Sequence, residues 1–237
     1  MKLKKIPLYC KTLTYGLKNP AQIHREILFR FLPSKLEKKE LYSLVDPKCA
    51  VTLSNYASRD GNVSEFELLA IAHFVASFQP RILLELGTFD GNTTLQMALN
   101  SPLDARIHTL DLPESCTEAY LDPFELKYVQ DKKKKERKFL ETHVSKKICQ
   151  HLGDSTSYDF KLFGNPDLIF IDASHSYVCV KSDTENALKI LNKGGIILWH
   201  DFTPQWMGVW RYLQELAHVL PLIHIKNSSL VFYKSNL

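Results

Sequence analysis

Five acidic residues, Glu85, Asp111, Asp154, Asp172 and Asp201, stand at or just beyond the ends of short apolar runs spanning 81–86, 106–110, 148–152, 167–171 and 196–199. Such continuous apolar runs, separated by helical patterns, read as strands of a parallel sheet covered on both faces. In open parallel sheets a ligand sits beyond the carboxyl ends of the strands, where strand order reverses. One strand-end carboxylate is often only a turn former or helix cap. Five in succession point to a shared ligand crevice.

Two of these positions carry further chemistry. The segment Glu85-Leu-Gly87-Thr88-Phe-Asp-Gly91 can turn tightly and approach a ligand, because neither glycine has a β-carbon. It is not a dinucleotide fingerprint: that spacing needs a glycine where Glu85 stands, and the carboxylate would repel a pyrophosphate. A ligand with a cationic end fits better. Asp111 follows Gly87 by 24 residues, about where the second strand of such a unit presents a carboxylate to ribose hydroxyls. The other position is the pair Asp172-x-x-His175 and His200-Asp201. If the strands ending at Asp172 and Asp201 are neighbours, about 4.8 Å apart, two carboxylates converge and need a proton or a cation between them. Oxygen ligands that leave coordination positions open suit Mg²⁺.

On these residues the sequence resembles the class I S-adenosylmethionine-dependent methyltransferases. ELGTFDG at 85–91 is similar to their glycine-rich first motif, Asp111 to their ribose-binding acid, and Gly153-Asp154-Ser155 to the loop that meets adenine. The stretch 167–202 resembles the small O-methyltransferases acting on sugars and related hydroxylated molecules, a group that includes macrolide-sugar enzymes and cephalosporin-hydroxylase-like proteins. The resemblance covers residues 60–233. It implies S-adenosyl-L-methionine as cofactor, held by Glu85, Gly87, Thr88, Gly91, Asp111 and Asp154. It also implies a metal on Asp172 and Asp201, with Asp172 and His175 as the catalytic pair and His175 as the base. Several relatives carry two consecutive acids where this chain has His200-Asp201. Either the site takes a softer ion such as Mn²⁺, with His200 among its ligands, or His200 stands outside the coordination shell.

The elements that position these residues follow from pattern. Ser64-x-x-Glu67 is a capping box ahead of an apolar helix that Gln79-Pro80 ends. Further helices are expected near 92, over 178–191 and over 208–217, and two final strands, 222–225 and 230–233, form an antiparallel hairpin. The expected fold is a doubly wound, mostly parallel, seven-stranded Rossmann-like α/β sheet, with residues 61–237 as the enzyme domain and 1–60 as a basic, helical N-terminal arm. His73, on an apolar helix face, reads as a core residue, and Lys181 as a solvated one.

Composition bounds the function class. The chain has 237 residues, 45% apolar and 24% charged, ordinary for a soluble globular protein. Its longest largely apolar stretch, 68–78, is interrupted by His73 and is too short to span a bilayer. Five scattered cysteines without C-x-x-C pairs read as reduced thiols of a cytoplasmic protein. Charge is uneven, +7 over residues 1–48 and −3 over the rest. The arm, with an amphipathic turn at 21–32, reads either as a packing or oligomerisation segment or as one that meets an anionic surface. A nucleic-acid methyltransferase would use that arm and Lys132–Lys138 for phosphates. Against it, the fourth strand lacks an Asn-Pro-Pro-Tyr-like continuation and no aromatic residues interleave the lysine run. A non-catalytic adenosyl-binding protein of the same fold is the other alternative, disfavoured by the assembly of His175 with Asp172 and Asp201. The aromatic cluster Phe202, Trp206, Trp210 and Tyr212 is a candidate self-association surface.

Overall fold

The computed structural model describes residues 33–57, 61–113 and 136–236. The capping box forms as expected. Ser64 Oγ accepts from the Glu67 amide at 3.3 Å while the Glu67 carboxylate takes the Ser64 amide at 2.9 Å. Helix α1 (Glu65–Phe78) runs from this cap to Gln79, whose φ of +49° ends it before Pro80. Its buried residues Ile71, Phe74 and Val75 belong to the main core. His73 is among the buried side chains, edge-on to Tyr42 with ring centroids 5.3 Å apart.

Strand β2 (Ile82–Leu86) is the centre of the sheet. It pairs in parallel with β3 (Arg106–Asp111) on one side and with β5 (Leu168–Ile171) on the other, so Glu85 lies opposite both Thr109 and Phe170. Beyond β3 lies β4 (Ile148–Leu152). Beyond β5 lies β6 (Ile196–Trp199), followed by β8 (Val231–Lys234), which alone runs antiparallel to its neighbours, and β7 (Ile223–Ile225). Helices α2 (Asn92–Asn100), α3 (Tyr177–Ile190) and α4 (Met207–Leu216) complete the wound unit. Strand order reverses at β2, so the crevice where a doubly wound sheet takes its ligand opens at the ends of β2, β3 and β5.

Among the described residues the sheet has eight strands rather than seven. The additional one, β1 (Glu37–Lys39), pairs in parallel with β7 and closes the edge at which a hairpin was expected to stand alone. It lies in the stretch assigned from sequence to the arm. Leu36, Leu41 and Val45 around it are buried, and the compact unit that carries the sheet runs from Leu36. Three residues with two lysines give no strand signal, because burial of the flanking leucines and not local propensity selects the conformation. Residues 1–32, with the amphipathic turn, and 114–135, with most of the lysine run, lie outside the described residues.

Three members of the aromatic cluster are internal, and the fourth, Trp206, lines the crevice at the strand ends. Phe202 stacks on Trp210 with centroids 4.4 Å apart, and Phe202, Trp210 and Tyr212 are buried within this chain. Among the described residues no helix is long and apolar enough to cross a membrane.

Candidate active site

At the end of β2 the chain turns through Gly87 and Gly91, with φ of +97° and +76°. A β-carbon on Gly87 would lie 1.9 Å from the Asp172 carbonyl oxygen, so only glycine lets β2 and the end of β5 approach this closely. Gly91 has a different constraint, since a β-carbon there would meet the Phe139 ring at 2.6 Å. The turn encloses a cavity of about 330 Å³ that reaches from Asp154 across Asp111 and Asp172 to Asp201.

Six residues were expected at the cofactor. Gly87, Thr88, Asp111 and Asp154 line this cavity; Glu85 and Gly91 do not. Glu85 is buried on the inward face of β2, where Thr109 Oγ1 donates to its carboxylate at 2.5 Å and Thr94 Oγ1 donates to the same oxygen. Because Thr109 gives its hydrogen to Glu85, the Thr88 hydroxyl donates to Thr109, at 2.6 Å. Burial is the largest influence on Glu85 and, against those two hydrogen bonds and with Asp172 and Asp111 nearby, lifts its carboxyl to about 8. It is therefore mostly protonated at neutral pH, a strut under the glycine turn. Strand alternation explains this: the residue one short of a strand end points to the face opposite its terminal neighbour.

On the β3–β4 side, Asp111 caps its own strand by accepting from the Leu112 amide at 2.9 Å, and Arg137 Nη2 stands 3.9 Å from its other oxygen. Asp154 shapes the next turn, accepting from the Thr156 amide and hydroxyl at 2.9 and 2.8 Å. The Tyr158 ring packs where Gly153 leaves room, 2.6 Å from the position of an absent β-carbon.

On the β5–β6 side, two acids and two histidines meet. His175 Nε2 is 2.6 Å from Asp201 Oδ2, and His200 Nδ1 is 3.0 Å from Asp172 Oδ1 and 3.3 Å from Asp201 Oδ2. Burial alone would lower the pKa of His200, but Asp172 and Asp201 outweigh it and hold the imidazole well above its usual value. As an imidazolium it also donates from Nε2 to Glu67 Oε2 at 3.3 Å. Both nitrogens are thus engaged, and the ligand atoms that converge within 4.8 Å are those of Asp172, His175 and Asp201. His200, expected among the metal ligands, instead braces the two acids from behind. Burial pushes the Glu67 and Asp201 carboxyls up, yet His200 holds both well below the ordinary carboxylate range. Asp201 adopts a φ of +61°, a strained backbone for a residue other than glycine, of the kind that collects at functional sites.

Sequence reasoning missed two parts of this arrangement. Glu67 looked like a cap only, but its second oxygen accepts from the Ser229 amide and hydroxyl, both at 2.7 Å, tying α1 to the β7–β8 turn and to His200. Trp206 stacks on His175 with centroids 3.9 Å apart at 18°. Gly208 permits this, since a β-carbon there would lie 2.1 Å from the His175 carbonyl oxygen. The dyad of glycine and aromatic at the start of a helix was the available signal. Lys181 pairs with Glu185 at 3.8 Å on the surface.

This geometry has relatives. A family profile described as a methyltransferase domain matches residues 84–202, half of the chain, from within β2 to the residue after Asp201. A curated uncharacterized protein, y4gI of Sinorhizobium fredii, is 37% identical over 60 residues, 24% of this chain; the chain spans 7% of that relative's length. Among solved structures, the O-methyltransferase TomG of Streptomyces achromogenes, in complex with S-adenosylmethionine, aligns with a TM-score of 0.52 at 17% identity over 74% of this chain and 82% of its own. A putative caffeoyl-CoA O-methyltransferase of Staphylococcus aureus aligns with a TM-score of 0.56 at 18% identity over 73% and 84%. The S-adenosylhomocysteine-bound methyltransferase PaMTH1 of Podospora anserina aligns with a TM-score of 0.52 at 15% identity over 99% and 97%. At these identities the likeness is one of fold, while the profile match is one of family. The chain belongs to the methyltransferase-domain family, a methyltransferase built on the class I fold of S-adenosylmethionine-dependent O-methyltransferases.

Proposed function

We propose that the chain transfers a methyl group from S-adenosylmethionine to a hydroxyl oxygen of a small polyhydroxylated molecule, a sugar or polyol, at a divalent cation held by Asp172 and Asp201. The observation that carries this reading is the convergence of ligand atoms of Asp172, His175 and Asp201 within 4.8 Å of one another in the same cavity that Gly87, Asp111 and Asp154 line. Asp111 would take the ribose hydroxyls, the 153–156 turn the adenine, and the wall at Gly87 would let the methionyl part lie against the backbone. When bound, the cofactor supplies an electrophilic methyl group on a cationic sulfur, and Mg²⁺ or Mn²⁺ would lower the pKa of a coordinated hydroxyl.

Charge supports the cation. Asp172 and Asp201 both line the cavity beside a single imidazolium, His200, an excess of carboxylate that a cation complements. His175 takes the acceptor hydroxyl's proton. Its Nε2 hydrogen bond to Asp201 steadies the imidazolium that forms, and its stack on Trp206 fixes the ring plane. That is the logic of a base oriented by a third group.

The test is methyl transfer from labelled S-adenosylmethionine to a panel of sugars and polyols. Asp172→Asn and Asp201→Asn should each lower kcat by about a hundredfold or more, and chelation should abolish turnover until Mg²⁺ or Mn²⁺ is returned. Full turnover in chelator removes the cation, and a near-wild-type rate in His175→Ala at saturating substrate removes the base.

A further inference from the structure

A second cluster of metal-binding groups lies away from the crevice, at the β3–β4 edge of the sheet. His108 and Cys149 are paired residues across β3 and β4, and His151 follows two positions along β4. Side chains alternate along a strand, so the parallel register sends all three to one face. His108 Nδ1 and His151 Nε2 are 2.9 Å apart, and one ring nitrogen of each histidine and the Cys149 sulfur all lie within 4.8 Å of one another.

We propose that His108, Cys149 and His151 form a second metal site, selective for a borderline-soft divalent cation of the Zn²⁺ class. Two imidazoles and one thiolate are a zinc donor set, unlike the carboxylate-rich crevice, and three protein ligands leave a fourth position for solvent. With Zn–N near 2.1 Å and Zn–S near 2.3 Å, tetrahedral ligand atoms stand about 3.3–3.7 Å apart. The 4.8 Å that bounds the cluster's ligand atoms exceeds that spacing by only about 1 Å. In the metal-free state one hydrogen is shared between the two imidazoles, at the place an ion would take.

The surroundings are those of a supported site. His151 presents Nε2 to the cluster while its Nδ1 lies 3.1 Å from the Tyr158 hydroxyl, the outer hydrogen bond that fixes the ring orientation of a metal-bound histidine. Phe163 packs against both imidazoles, with centroids 5.6 and 5.1 Å away, and stacks on Tyr158 at 5.4 Å. Cys149 is exposed and free, which gives the ion an entry path. An ion there would tie edge strand β4 to β3 and, through Tyr158 against Gly153, brace the turn that forms one wall of the crevice.

The test uses the full chain stripped by a chelator and titrated with Zn²⁺ and, separately, with Co²⁺. We expect a thiolate-to-cobalt charge-transfer band that saturates at one ion per chain. Cys149→Ser should abolish the band, His151→Ala should weaken Zn²⁺ binding at least tenfold, and Asp201→Asn, which touches only the crevice cluster, should leave the band intact. Absence of the band in the unsubstituted protein overturns the proposal, as does its persistence in Cys149→Ser. So does loss of the band in Asp201→Asn, which would assign the ion to the crevice. Cys149 is exposed, so its serine variant should stay folded and decides the outcome even if His151→Ala does not fold.

Discussion

At the scale of single residues, Glu85 separates support from ligand contact. A carboxyl held near 8 in the folded state and near 4.5 when unfolded favours folding while protonated. The folded state retains its proton between these values and the unfolded state does not, so this contribution is complete below about pH 4.5 and is lost as pH rises to about 8. Glu85→Gln keeps the shape and both threonine contacts but cannot titrate. The unfolding free energy of the wild type, measured by denaturant titration, should therefore fall relative to Glu85→Gln by about 3–5 kcal/mol between pH 4.5 and pH 8. A gap that is the same at both pH values would show that Glu85 is not the group being protonated.

At the scale of elements, the turn between β2 and α2 is where backbone geometry and function coincide. Gly87 has a left-handed φ and no space for a β-carbon beside the end of β5. Gly87→Ala should destabilise the fold by at least about 2 kcal/mol from the left-handed backbone and the contact with Asp172 together. Because that contact is with the backbone of Asp172 itself, the variant should also displace the acid and lower kcat. A calorimetric melt and a turnover assay read the two effects, and a wild-type melting temperature would refute the close approach. The same logic makes α1 more than a covering helix. Its capping carboxylate, Glu67, anchors His200 and the β7–β8 turn at once, so a local helix signal doubles as a long-range brace.

For the whole molecule, the crevice exists only because the sheet winds both ways from β2, taking Asp111 and Asp154 to one side and Asp172 and Asp201 to the other. A ligand that spans both halves should stabilise the unit as a whole. S-adenosylhomocysteine at about a hundred times its dissociation constant should add about 2.7 kcal/mol to the unfolding free energy, raising Tm by about 5–10 °C in a chain of this size. An unchanged Tm at saturating ligand would count against adenosyl binding at this crevice.

The core strands and helices along the chain, the capping box, the glycine turn and the acids at strand ends were legible in the sequence, because each is a local signal: apolar runs for buried strands, a short spacing for a cap, a missing β-carbon for a turn. Asp111, Asp154, Asp172 and Asp201 could be picked out before any coordinates for the same reason. What tertiary structure alone decided is which of those groups meet. His200 and Glu67 lie 133 positions apart, β1 becomes a strand only through β7, and His108 finds His151 only through the register of β3 and β4. Such encounters are set by packing and pairing between distant segments, whose free energy no short window of sequence contains.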